Sequence, residues 1–384
     1  MDFRPTDEQE LLRSSVAKIA GGYGHAYFQQ RTASGGRQDE LWRDLGAAGF
    51  LGVHLPEEFG GGGMGIAELA IVCEETAAAG CPLLLMLVSP AICGTLLAKF
   101  GTGEQKGRFL PDMAAGRTKL AFAITEPDAG SNSHRIATAA RREGDSWRLS
   151  GTKYYISGVD EAAAIVVVAR TGTEQATGRA RLSLFVVDSD APGLEAAQIP
   201  VEIAAPEKQF TLFFDDVAVP ADRLLGTEGE GLRQVFEGLN PERLMSAAVS
   251  CGIGRYALSK AAAYARGRSV WGKPIGSHQG VAHPLAKAKI ELELARLMLQ
   301  KAAWSYDHGA DAGETANMAK YAAAEAALAA LDEAMQTHGG NGFASEFGLA
   351  DLWGTARLLR TAPVSREMIL NFVAEHSLGL PKSY

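Results

Sequence analysis

The chain has 384 residues, 47% of them hydrophobic, and its 37 Lys+Arg against 45 Asp+Glu give a formal net charge of −8. That length suits two or three domains of roughly 100–200 residues each, and the acidic balance argues against an electrostatic nucleic-acid binder, which needs a concentrated basic surface. Cys73, Cys81, Cys93 and Cys251 show no CxxC spacing, which argues against a disulfide scaffold or a cysteine zinc site and fits a reducing compartment.

Residues 1–9 lack the basic-then-apolar order of a secretory leader, so a cytoplasmic protein is expected. Thr6 and Gln9 have capping-box spacing ahead of Leu11, Leu12, Val16 and Ile19, which recur at helical intervals. Further helices are expected at 38–48 and 66–79, then apolar segments from Leu83 and from Ile92 to Phe100, punctuated by Pro56, Pro82 and Pro90. The longest apolar run, residues 83–88, is about a third of the ~18–20 residues that a membrane span needs, so no membrane insertion is expected.

From about residue 119 the texture changes. Runs at 120–125, 147–150, 153–157, 165–169, 182–187 and 210–214 are rich in β-branched and aromatic residues, with Gly, Asp, Asn and Pro between them. That pattern predicts a β-sandwich or barrel. After Gly231 the chain turns Ala-rich and helical, with long spans expected at 241–266, 280–306 and 314–337. The expected fold is α+β, with an N-terminal helical domain (1–118), a middle β-sandwich/barrel domain (119–228) and a C-terminal four-helix-bundle domain (229–384). Ala-rich faces let helices approach closely, so the last domain is also suited to a subunit interface.

Three local patterns mislead. Gly60, Gly62 and Gly65 satisfy GxGxxG, but Leu55-Pro56-Glu57-Glu58-Phe59 before them is no parallel strand, so a helix–helix loop is expected rather than a dinucleotide fold. His278 and His283 lack a third ligand, and no metal site is expected. The basic, aromatic stretch from Arg266 to Lys273 is too little for nucleic acid on an acidic chain, yet enough for a mononucleotide-type cofactor.

The stretch Phe122-Ala123-Ile124-Thr125-Glu126-Pro127-Asp128-Ala129-Gly130-Ser131 resembles the signature of the acyl-CoA dehydrogenase family of flavoproteins. Three further segments agree in the family's order. They are Gly151-Thr152-Lys153-Tyr154-Tyr155-Ile156-Ser157, the run from Arg268 to Ile275 with Trp271 for the family's Phe, and Gln336-Thr337-His338-Gly339-Gly340-Asn341-Gly342-Phe343. The resemblance spans essentially the whole chain and implies FAD as cofactor and an acyl-CoA thioester as substrate. It places Phe122, Ile124 and Thr125 beside the flavin ring, with Tyr155 and Ser157 at its other edge. It places Gly130 and Ser131 by the pyrophosphate or the thioester ligand. It also implies that Arg268, Val270, Trp271, Gln336, Gly339 and Gly340 reach the FAD of a neighbouring subunit, with Gln279, Ser365 and Glu367 as further cofactor contacts. Arg268 suits a pyrophosphate because guanidinium pairs phosphate oxygens bidentately. A site completed in trans implies a homodimer or homotetramer, and the expected electron acceptor is an electron-transfer flavoprotein.

The family's chemistry needs a carboxylate that is ionised near neutral pH, to remove the proton α to the thioester. Most members carry it in a C-terminal "Y-E-G-T" segment, but here that segment reads Ala362-Pro363-Val364-Ser365. Proline cannot take a proton, and it lacks the N–H that would hold the thioester oxygen. A minority branch carries the base in "L-x-x-E-R", which is Leu239-Asn240-Pro241-Glu242-Arg243 in this chain. Glu242 is therefore the expected base, with Asn240, Arg243 and Ser131 as substrate contacts. The competing reading makes Asn240 an N-cap, Pro241 the first helical residue and Glu242 a dipole-favoured acid, with a pKa held down by the helix N-terminus. A flavin-dependent enoyl-CoA reductase, an oxidase or monooxygenase, and a non-catalytic partner subunit remain alternatives on the same fold.

Overall fold

The computed structural model describes residues 4–174 and 178–382. The helical, β, helical order expected from composition is the order observed. The first unit holds α1 (Asp7–Ser34), α2 (Asp39–Ala47), α3 (Ile66–Ala78), α4 (Leu85–Val88), a π-helical turn at Ser89–Gly94, α5 (Thr95–Phe100) and α6 (Gly103–Ala114). The capping box opens α1: the Gln9 amide donates to Thr6 Oγ1 and the Thr6 amide to Gln9 Oε1, each at 3.2 Å. The glycine run is a helix–helix loop, and a Cβ on Gly61 would stand 2.2 Å from the Leu55 carbonyl oxygen.

The middle unit comprises β1 (Leu120–Ala123), β2 (Ala139–Glu143), β3 (Ser146–Ser157), β4 (Ala164–Thr173), β5 (Ala180–Asp188), β6 (Leu194–Ile199), β7 (Gln209–Pro220) and β8 (Leu224–Leu225). They form one sheet in the order β6-β7-β3-β2-β4-β5-β8, with β1 parallel to β4. Alternate residues of β4 serve two cores. Val166 and Val168 pack toward Ile92, Leu96 and Phe109 of the helical unit, whereas Ile165 and Val167 join Trp147, Leu149 and Phe214. Period-2 alternation with both faces covered gives the continuous apolar reading that made this strand legible. Sequence patterning misses β2 and β6. β6 is a sheet edge with exposed side chains on both faces, and β2 is mostly exposed and charged, so neither carries an apolar alternation.

The last unit is built on α7 (Gly231–Gly267), α8 (Gln279–Asp307), α9 (Gly313–His338), α10 (Leu352–Thr361) and α11 (Arg366–Phe372), with a short hairpin of β9 (Ser269–Val270) and β10 (Lys273–Pro274) between α7 and α8. Small residues let α7 and α9 close on each other: Ala323, Ala326, Ala327 and Ala330 are all buried. The expected helix start at Asn240 is corrected. α7 begins at Gly231 and runs straight through Pro241, so Asn240 caps nothing and Glu242 lies in a helix interior. Proline at 241 has no N–H for the Glu237 carbonyl, but the Tyr306 hydroxyl of α8 donates to that oxygen at 2.8 Å. A donor 69 residues away in the chain is what makes the helix continuous.

Candidate active site

The first two flavin-type motifs meet in space. The Tyr154 amide donates to the Thr125 carbonyl at 2.9 Å. The buried Lys153 ammonium donates to the Ile124 carbonyl at 3.0 Å and to Glu126 Oε1 at 2.8 Å. Glu126 also accepts from the amides of Ala137 and Thr138, at 2.7 and 3.0 Å. Burial alone would raise the Glu126 carboxyl, but Lys153 and the donors at Thr138 and Ala137 hold it below its ordinary value. Burial pulls Lys153 down to about 8 against the attraction of Glu126. This pair lies inside both motifs, yet sequence reading did not single it out.

Around that anchor the expected contacts are arrayed. Phe122 is buried and Ile124 half-buried. The hydroxyls of Thr125 and Ser131 have no hydrogen-bond partner among the described residues, and a Cβ on Gly130 would meet nothing within 4 Å. Tyr155 sits at φ 56°, in the irregularity between Lys153 and Ile156, which turns its ring outward to 53% exposure. Ser157 donates to Gln209 Oε1 at 3.0 Å.

Glu242 lies on α7, which packs against the π-helical turn. Gly238, one turn before it, packs on the π-helical turn, where a Cβ would come within 3.1 Å of Ile92 and Leu96. Cys93 of that turn reaches β1: its thiol points at the Ala121 carbonyl (3.4 Å), next to Phe122. Burial raises the Cys93 thiol, and the Glu242 charge raises it further. Glu242 is half-buried. Burial pushes its pKa up to about 8, against the opposing pull of Arg243 and Lys320. The lowered pKa expected from a helix N-terminus is thereby corrected, because no helix end lies at residue 242. Arg243 donates to Asn240 Oδ1 at 2.7 Å through Nη1, and its Nε is a buried donor with no partner among the described residues.

The third and fourth motifs form a separate cluster. The Arg268 amide donates to the Tyr264 carbonyl at 2.8 Å, the Tyr264 ring stacks on His338 at 4.2 Å, and Asn341 Nδ2 donates to the Tyr264 hydroxyl at 3.1 Å. Arg268, Gln279, Gln336, Gly339 and Gly340 are exposed and Val270 is half-buried. Trp271, at φ 50°, is 89% exposed. Among the described residues, no hydrogen bond, ion pair or ring contact joins this cluster to Thr125, Ser131 or Tyr155 of the same chain. Ser365 caps α11, accepting from the Met368 amide at 3.2 Å, and Glu367 in its first turn is exposed. A cavity of about 670 Å³ opens elsewhere, between α1, α3 and α8, and none of these residues lines it. Among the described residues no group of three or more His, Cys, Asp or Glu could hold a metal ion, and no helix is long and apolar enough to cross a membrane.

The comparisons agree over the whole length. The acyl-CoA dehydrogenase N-terminal, middle and C-terminal family models match residues 6–117, 121–217 and 229–378. The acyl-CoA dehydrogenase FadE12 of Mycobacterium tuberculosis is 56% identical over 384 residues, covering 100% of this chain and 99% of the relative. The chain belongs to the acyl-CoA dehydrogenase family. Among solved structures, the glutaryl-coenzyme A dehydrogenase–glutaryl-CoA complex superimposes with a TM-score of 0.93 at 31% identity, over 100% of this chain and 98% of that one. A glutaryl-CoA dehydrogenase from Mycobacterium smegmatis in complex with FADH2 gives 0.92 at 25% identity, over 99% and 96%. The family, the fold and an FAD-dependent oxidoreductase function stand on these findings. The residues present fit FAD: unpaired hydroxyls at Thr125 and Ser131, open space at Gly130, Gly339 and Gly340, and a guanidinium at Arg268 without an ion-pair partner among the described residues.

Proposed function

We propose that this acyl-CoA dehydrogenase uses Glu242 as its base, removing the α-proton of an acyl-CoA thioester to leave the α,β-unsaturated thioester. The observation that carries this reading is the Glu242 carboxyl. It stands in mid-helix, half-buried, with no hydrogen bond in the chain among the described residues, on the helix that packs against the π-helical turn whose Cys93 thiol meets β1. FAD, when bound, supplies the acceptor for the β-hydrogen and its electron pair. The chain's own residues do the rest. Glu242 receives the proton and must be ionised to do so; Arg243 and Lys320 favour that state against burial. The free Nε of Arg243 is available to an oxygen of the substrate. Thr125 and Ser131 offer hydroxyls to the cofactor, while the Lys153–Glu126 pair fixes the strand that carries them.

The working form is a homodimer or homotetramer in the cytoplasm, with an electron-transfer flavoprotein as the acceptor. Support for assembly comes from the lack, among the described residues, of any hydrogen bond, ion pair or ring contact between the Arg268–Gln336 cluster and Thr125. It comes also from Ile290, Leu294, Leu297 and Trp304, which lie exposed at i, i+4, i+7 and i+14 on α8. Such spacing makes one apolar stripe on a helix.

The test is anaerobic reduction of the bound flavin by a panel of acyl-CoA thioesters. The wild type is expected to bleach with at least one of them. Glu242→Gln should be slower by about 10²–10⁴ with FAD content retained. Near-wild-type reduction in that variant sinks the assignment, and Glu367 is then the next carboxylate to examine.

A further inference from the structure

His25 sits in the second half of α1, just past the bend at Gly24, where φ is 68°. Both of its ring nitrogens are engaged. Nδ1 lies 2.8 Å from the Gly80 carbonyl, and Nε2 lies 2.8 Å from Oδ2 of Asp351, directly before α10. A carbonyl and a carboxylate oxygen only accept, so both nitrogens donate and the ring is an imidazolium. Burial alone would raise the Asp351 carboxyl, but the hydrogen bond and charge of His25 hold it below its ordinary value. The shared proton therefore stays on the ring. The His25 side chain is 8% exposed. It packs against Gly80 and Gly348, where a Cβ would come within 2.7 and 2.4 Å of it, and against the rings of Phe28 and Tyr256, at 5.5 and 5.2 Å. The other titratable groups around it are Cys81 from the turn after α3 and Tyr256 from α7, with Lys260 over the Tyr256 ring. Burial raises both the thiol and the phenol, which stay neutral.

From this ring a run of contacts leads to the third and fourth motifs. Gln29, one turn further along α1, donates to the Ser345 carbonyl at 2.7 Å. Phe347, next to Gly348, sets its ring edge-on to Tyr264 at 5.9 Å and to His338 at 5.5 Å. The Tyr264 carbonyl accepts from the Arg268 amide, and His338 adjoins Gly339 and Gly340. The N-terminal helix thus grips the loop between α9 and α10.

We propose that His25 is a positioning residue for the cofactor: as an imidazolium it clamps that loop, so that Arg268, Gly339 and Gly340 stand where a neighbouring subunit's FAD needs them. This rests on the reading that the Arg268–Gln336 cluster serves the FAD of a second subunit. The clamp is complete while the ring holds both protons and loosens as pH rises, the sign of a bound form that is the protonated one.

The test follows FAD release from the diluted full-length holoprotein by flavin fluorescence, across the range in which histidines titrate, together with melting temperature. In the wild type the FAD affinity should fall about tenfold toward the alkaline end, the scale of one charge-assisted hydrogen bond. Asp351→Asn is the decisive variant, because a neutral ring then fits: Nδ1–H still donates to Gly80, and Nε2 accepts from the side-chain amide. Its affinity should match the acid-side wild type and stay flat with pH. His25→Gln should bind FAD about tenfold more weakly than the acid-side wild type at every pH, since its amide brings no charge to the carboxylate. Equal pH slopes in the wild type and Asp351→Asn, flat or falling, overturn the proposal. So does unchanged FAD affinity in His25→Gln with only the melting temperature lowered. If His25→Gln does not fold, Asp351→Asn decides alone. Failure of the underlying reading shows differently, as undiminished FAD affinity in Arg268→Ala whatever the His25 and Asp351 variants do.

Discussion

The Tyr306 hydroxyl stands 2.8 Å from the Glu237 carbonyl and replaces the amide that Pro241 lacks. One side chain of α8 thus repairs a gap in α7 a single turn before the proposed base. Lys99 joins the same spot, bonded to Glu237 at 2.5 Å and lying over the Tyr306 ring at 4.6 Å.

Tyr306→Phe should therefore cost about 1–3 kcal/mol, the penalty for a carbonyl left without its donor. Pro241→Ala in that background should restore most of the loss, because alanine returns the missing amide. Chemical denaturation of the two single variants and the double variant measures the coupling. Additive effects would contradict the repair.

Lys153→Met should destabilise the chain by about 3–5 kcal/mol, since it strands Glu126 in the interior with its charge uncompensated. The strand carrying Ile124 and Thr125 loses its tether at the same time, so FAD retention should fall as well. Glu126→Gln added to Lys153→Met should recover part of the stability. Flavin absorbance per protein and a urea titration check both effects.

The pH dependence of Glu242 has a definite sign. Its folded-state pKa is raised to about 8, above the ordinary carboxyl value of 4.5, so burial is tolerated while the group is neutral. Its contribution to stability is fully present below about pH 4.5 and is lost as pH rises through about 8. Flavin reduction should run the other way, rising with pH as the carboxylate forms. Glu242→Gln removes the titration, so its melting temperature should gain on the wild type between pH 5 and 8. A constant gap would count against the burial of the charge.

Assembly offers the fourth test. On the proposed shared site, Arg268→Ala should lower FAD retention, because a phosphate there would lose its bidentate guanidinium partner. Leu294→Glu, which places a charge on a side chain 61% exposed on the α8 stripe, should break the oligomer apart on light scattering. A wild-type holoprotein that is monomeric would contradict the shared site.

The architecture was legible because its signals are local. The Thr6–Gln9 box, the two-sided apolar run of β4 and the Ala-rich face of α9 each sit within a few residues of sequence. The motifs around Thr125, Tyr155, Arg268 and Gln336 were legible as strings. Their mutual geometry was not: Lys153 meets Glu126 only when the strands align, and His25 meets Asp351 only when α1 comes up to the start of α10. The misplaced start of α7 has the same cause. Asn-Pro-Glu is a sound helix opening by propensity, and it was overruled by a tyrosine from another helix. Reading 242 as a helix end also inverted the direction of its pKa shift, since a dipole would lower what burial raises.

The hairpin between α7 and α8 lifts an indole almost wholly into water, with Trp271 89% exposed, while Trp42 and Trp147 stay 3% exposed. Tryptophan emission moves to the red in water and is quenched beside a flavin, so the chain carries its own optical gauge. With Trp304 and Trp353, 53% and 39% exposed, replaced by phenylalanine, dilution, cofactor stripping and partner exchange can each be followed from that ring, without a label and without substrate.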